Sequence, residues 1–212
     1  MNVILRITAA LLLTLGMFVS GSGGAQAATP SQWLSVSSGA MHTCAIAANH
    51  SLWCWGVNDK GQLGTGDKIS RNLPTKVGSS TSWTAVDTKF GHTCARHSSG
   101  SIYCWGYNMF GQLGLGDNDE RLTPTKVGTS TSWTSVATGA NYTCARHSSG
   151  SLYCWGANKS GQLGLGDDEQ RTTPKKVGAS TSWVSVTGGN SHTCAKHQSG
   201  SIYCWGDNQY GA

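Results

Sequence analysis

Charge is scarce in this chain. Only 12% of its 212 residues are Asp, Glu, Lys or Arg, and the formal net charge of +5 comes from bases that are scattered, without a run or an aromatic-interleaved stripe. A nucleic-acid binder concentrates its bases on one face, so nucleic acid is excluded as the expected partner. Mild basicity of this kind serves solubility, or biases the surface weakly toward acidic partners. Helical periodicity is also missing, since nowhere do apolar residues recur at the spacing of an amphipathic helix. Beyond residue 27 no stretch is apolar enough to span a bilayer. No pair of carboxylates is set apart for acid–base work, no phosphate-cradling loop precedes a helix, and the recurring His and Ser read as architecture. We therefore expect no enzyme, no cofactor and no metal.

What is present begins with a leader. Arg6 precedes a nearly unbroken apolar run from Ile7 to Val19, and Ala25-Gln26-Ala27 forms a small-residue cleavage site. Residues 1–27 read as a secretory signal peptide, too short in its apolar part to be an anchor. The leader carries no cysteine for lipid attachment. The mature chain is thus expected to be secreted, periplasmic or extracellular, and its 8 cysteines read as a disulfide framework.

The second presence is a repeat of 50 residues without insertion or deletion: Trp33, Trp83, Trp133 and Trp183 share one register, as do Cys44, Cys94, Cys144 and Cys194. After a short linker at 28–32, copies run 33–82, 83–132 and 133–182, and a fourth covers 183–212. A period this long marks stacked supersecondary units. In the copy 83–132, strands are expected at Trp83–Val86, His92–His97 and Ser101–Trp105, with an edge strand at Pro124–Gly128. Ser98-Ser99-Gly100 makes a three-residue hairpin loop with Gly in the left-handed position. That register sets Cys94 opposite Cys104 in a non-hydrogen-bonded pair, within reach of a disulfide. Each copy then closes its own bridge: Cys44–Cys54, Cys94–Cys104, Cys144–Cys154 and Cys194–Cys204. Zinc at His92, Cys94 and His97 is the rival, weakened because Tyr142 replaces the first His while Cys144 stays. Calcium at Asp117-Asn118-Asp119-Glu120 fails similarly, since the first copy has Asp67-Lys68-Ile69-Ser70 there. Four short strands per unit predict an all-β propeller.

The run Cys104-Trp105-Gly106, Asn108, Gly111-Gln112-Leu113-Gly114, Gly116-Asp117, Pro124 and Val127 closely resembles the regulator of chromosome condensation repeat, and His92-Thr93-Cys94-Ala95 resembles that family's second signature. The resemblance implies a seven-bladed propeller. With the fourth copy stopping at Tyr210-Gly211-Ala212, about three and a half repeats of such a ring are expected here, as the N-terminal part of a longer chain. The family's eponymous member is a guanine-nucleotide exchange factor, but its exchange residues find no match in this sequence, and an exported chain would not meet its nuclear partner. Exported propellers with related repeats include β-lactamase inhibitory proteins, which bind an enzyme through one face. Fold does not transfer function.

Copies 83–132 and 133–182 match at 34 of 50 positions, and the differences cluster. Asn108 and Gln112 are expected to hydrogen-bond loop backbone, with Leu113 a core plug. Around that fixed frame vary Phe90, Tyr107, Met109, Phe110, Tyr142, Lys159 and Tyr210, the candidate binding residues. Aromatic residues and Met on rigid loops are frequent interface anchors. The expected function is a secreted protein-recognition or scaffold module with an unknown protein partner. Polysaccharide binding is the rival, and a secreted hydrolase or exchange-factor-like activity is more distant. The repeated Trp is expected to pack between blades and not to stack sugars. Non-reducing peptide mapping should recover Cys94–Cys104 and Cys144–Cys154 as intra-repeat links; bridges between repeats, or free thiols with stoichiometric zinc, would refute the pairing.

Overall fold

Alternating polar and apolar residues between glycine turns give 15 strands among the described residues. The computed structural model describes residues 29–209 and Gly211. The leader at 1–27 and Tyr210, both singled out from the sequence, lie outside the described residues. The first blade is β1 (Trp33–Ser38), β2 (His42–Ala47), β3 (Leu52–Gly56) and β4 (Arg71–Lys76). The second is β5 (Trp83–Thr88), β6 (His92–His97), β7 (Ile102–Gly106) and β8 (Arg121–Lys126). The third is β9 (Trp133–Thr138), β10 (Tyr142–His147), β11 (Leu152–Gly156) and β12 (Arg171–Lys176), and the fourth β13 (Trp183–Gly188), β14 (His192–His197) and β15 (Ile202–Gly206).

Each blade is an antiparallel meander in sequence order, so the fold is an incomplete β-propeller, an open arc of blades. The first strands β1, β5, β9 and β13 pack successively against one another and line the axis. There Asp87 accepts from Ser37 Oγ at 3.2 Å and from Thr138 N at 2.6 Å, tying three blades together. The last strands form the rim, where lysines and a mid-strand proline such as Pro124 blunt an open edge. This rim strand begins at Arg121 and not at Pro124, because a register shift between Cys104 and Gly106 lets Arg121 pair with Gly106.

The hairpin register is as the sequence predicts. His97 N donates to Ser101 O at 2.9 Å, Cys94 faces Cys104, and all four bridges close within their own repeat with Cα separations of 4.1–4.2 Å. Gly100 closes the turn at φ +76, and a Cβ there would also meet Thr131 O at 2.0 Å. The core lies between blades, not within them. Cys44, Ile46, Leu52, Leu63 and Val77 of the first blade pack on Trp83, Ala95 and Trp105 of the second. Ile102 is fully buried by its neighbouring blade, whereas Ile202, with no blade described beyond it, is 70% exposed.

A polar joint crosses each of these layers. Gln62 O accepts from Thr93 Oγ1 at 2.8 Å and from Trp105 Nε1 at 3.0 Å, and the same Thr accepts from His42 Nε2 at 2.8 Å. The next layer repeats this with Gln112 O, Thr143, Trp155 and His92. In the third layer Thr193 and Trp205 donate to Gln162 O, and Tyr142 stands where the His stood. Its hydroxyl donates to His192 O and lies 2.9 Å from Thr193 Oγ1. This corrects one expectation: Tyr142 is fully buried, so it builds the joint and is displayed to no partner. Burial pushes its hydroxyl up to about 12. The exchange needs Gly139, because a Cβ at that position would sit 1.8 Å from the Tyr142 ring.

Two predictions follow from the joints. Thr143→Val removes the hydroxyl between His92 and Gln112 O, strands a buried donor, and should cost about 1–3 kcal/mol in chemical denaturation. The second concerns acid. Burial lowers His42 to about 4, and burial with repulsion from His42 lowers His92 to about 3, both from 6.5. Each stays neutral in the fold but charges below pH 6.5 when unfolded. Their stabilisation is complete above pH 6.5 and is lost as pH falls toward 4 for His42 and 3 for His92. The loss reaches on the order of 3 kcal/mol for His42. Transplanting the third blade's pair as Lys89→Gly with His92→Tyr should flatten the pH 7-to-5 decline in stability, roughly where an ordinary His titrates; an unchanged slope would place the acid sensitivity elsewhere.

Candidate functional site

Because strands alternate in direction, the turns after the first strand and the loops after the third emerge on one face of the arc. The long loop of the second blade, from Tyr107 to Glu120, is held from inside. Asn108 Nδ2 donates to Asp117 O and Asp119 O, each at 3.0 Å, and its Oδ1 accepts from Leu113 N at 2.9 Å. Gln112 Oε1 accepts from Phe110 N at 3.0 Å, and Leu113 is fully buried. Asp117 accepts from Asp119 N at 3.0 Å and from Arg121 Nη2 at 2.6 Å. Burial alone would raise Asp117, but the Asp119 amide and the Arg121 guanidinium outweigh it and hold the carboxyl below its ordinary value. The acidic loop thus spends this carboxylate on its own fold. Among the described residues no group of His, Cys, Asp and Glu is arranged to hold a metal ion.

From this frame the variable side chains project. The Tyr107 and Phe110 rings meet edge to face with centroids 6.3 Å apart, and Tyr107 Oη donates to Met109 Sδ at 3.1 Å. Met109 is 61% exposed. Phe110 and Lys159 line one cleft of about 490 Å³, together with Ala157, Asn158, Glu169 and Gln170, so the structure brings these two blades' candidates together. Phe90 lies apart from that cleft but on the same face, half-exposed in the turn before Gly91, whose carbonyl accepts from Tyr107 N at 2.9 Å. It lines a second, axial cleft of about 280 Å³ with Ser38, Gly39, Ala40, Lys89 and Asn190.

Lys60 and Glu120, which were not among the candidate binding residues, also belong to this surface. The Lys60 ammonium stands 5.9 Å from the Tyr107 ring centroid and 3.6 Å from Glu120, while Lys68 pairs with the same carboxylate. The signal was there: Lys60 occupies the Phe110 position one repeat earlier, and adjacent blades bring such positions side by side. On the opposite face the repeated tryptophans of the second and third blades pack inward, while Trp33 is 39% exposed. Trp83 and Trp133 are at most 5% exposed, and Trp83 meets His97 and Tyr103 edge to face.

Comparison with known proteins agrees with this architecture. A profile of the Regulator of chromosome condensation (RCC1) repeat matches residues 49–95, 99–146 and 149–195. A second profile of the same repeat matches 33–62, 83–112, 133–162 and 183–212. Human WBSCR16 superposes with a TM-score of 0.75 at 22% identity, over 84% of this chain and 48% of that one. Yeast Prp20, crystallised with Kap60, gives 0.72 at 23% identity over 84% and 44%. The ectodomain of the receptor kinase CR4 from Physcomitrella patens gives 0.54 at 20% identity over 82% and 41%. This chain spans less than half the length of these proteins, and at such identities the likeness is one of fold.

Proposed function

The chain belongs to the regulator of chromosome condensation repeat family, and from that premise we propose that it is an exported protein-recognition module. The observation that carries the reading is the cluster of Tyr107, Met109 and Phe110 beside Lys60, displayed from a loop whose backbone is fixed by Asn108 and Gln112. Rigid aromatic anchors lose little conformational entropy on binding and so serve recognition well. Lys159, across the cleft from Phe110, and Phe90 on the same face extend the surface. Export is supported by the leader at 1–27 and by four disulfides, which persist in oxidising compartments. Protein binding is also what Prp20p is described as doing, toward Gsp1p and histones.

Polysaccharide binding draws less support, because a sugar-stacking array needs exposed indoles and Trp83, Trp105, Trp133 and Trp155 are buried. Exchange-factor-like activity rests on family likeness alone. The test uses a partner captured by the full-length protein from its own secretome. Tyr107→Ala and Phe110→Ala should each weaken that partner by about 1–2 kcal/mol or more, with thermal unfolding unchanged. A double variant that keeps every partner at its original affinity, or a response confined to a glycan screen, overturns the assignment.

A further inference from the structure

Each long loop carries a buried glutamine whose side-chain oxygen receives the backbone N–H two residues earlier: Lys60 N to Gln62, Phe110 N to Gln112 and Ser160 N to Gln162. That bond settles which end of the amide is which. That leaves the Nε2 end free, and in the first blade it faces the residue three positions before. In the first blade a carboxylate waits there, and Gln62 Nε2 donates to Asp59 Oδ1 at 3.0 Å. In the second blade the same position is Met109. Gln112 is fully buried, and its Nε2 has no partner. A buried amide donor left unmatched is costly.

The surroundings favour an anion at this place. Lys60 and Lys68 share the carboxylate of Glu120, and the Lys60 ammonium stands beside the Tyr107 ring. Met109, 61% exposed, has room to swing outward, while its backbone is held by Asn118 Nδ2 donating to Met109 O at 2.9 Å. The thioether is a weak acceptor and is already taken by the Tyr107 hydroxyl.

We propose that the second blade receives a carboxylate side chain of a protein partner at the place Asp59 fills in the first blade, with Gln112 Nε2 as its buried donor, Lys60 as its charge partner and the Tyr107–Phe110 pair as its apolar wall. The proposal rests on the recognition reading above and names the partner's chemistry: an exposed Asp or Glu flanked by apolar residues.

The test uses the full chain and an array of nine-residue peptides with a central Asp or Glu between aliphatic residues, beside the same peptides with Asn or Gln. Acidic peptides should bind about tenfold more tightly than their amides, each tenfold corresponding to about 1.4 kcal/mol. Met109→Asp should supply the missing acceptor from within. It should protect the Gln112 side-chain amide protons from exchange, raise the melting temperature, and weaken the acidic peptides at least tenfold. Equal binding of acids and amides, no binding by any acidic peptide, binding of polygalacturonate alone, or full binding by a folded Met109→Asp protein each overturns the proposal. Loss of the captured partner in Tyr107→Ala and Phe110→Ala, with Met109→Asp neutral, sinks this inference and spares the recognition surface.

Discussion

The carbonyl of one glutamine per repeat is the point on which the architecture turns. Gln62 O, Gln112 O and Gln162 O each accept from a Thr hydroxyl and a Trp indole of the following blade. Apolar burial between blades is larger in energy but has no direction. The two convergent donors fix how far one blade may slide over the next. They also consume a backbone acceptor that a long loop would otherwise leave buried and unpaired. The Cys-Trp-Gly and His-Thr-Cys signatures are therefore two halves of one contact, written in one repeat and completed against the loop of the repeat before it.

Much of this was legible in the sequence, and what was not has physical reasons. The second strand, the hairpin and the cysteine register follow from local rules, because a three-residue loop leaves one register and one left-handed position. Gln112 and Asn108 were readable as loop anchors for the same reason: both act within their own loop. Tyr142 misled because variation between copies marks exposure only where each copy meets the same neighbours. The exchange of His for Tyr is absorbed by Gly139 in the same blade and by Thr193 in the next. The charge around Tyr107 was hidden in a similar way, since Lys60 is 47 positions away in the chain and adjacent only across the blade boundary.

The first blade shows how far such exchanges reach. Arg96 Nε and Arg146 Nε donate to Trp133 O and Trp183 O of the next blade. Ile46 occupies the corresponding place in the first blade and has nothing to donate. His50 takes over, its Nδ1 reaching Trp83 O at 3.0 Å from the left-handed turn position, φ 61, that the other copies give to Gly. A residue strained in isolation thus restores a bond lost four positions earlier. The backbone contact is retained while the side chains that make it change.

The same economy explains why the long loops can vary where they do. The glutamine's carbonyl belongs to the joint between blades, and its side-chain oxygen belongs to the backbone of its own loop, so neither depends on the variable side chains of that loop. Only Nε2 senses what stands three residues before: Asp59, Met109 or Lys159. Substitution there changes the exposed surface and the pairing of one buried amide, and leaves both the joint and the loop backbone satisfied. A surface built on that arrangement is free to diversify, and a ligand that pairs with the amide does so on a residue already anchored to the next blade.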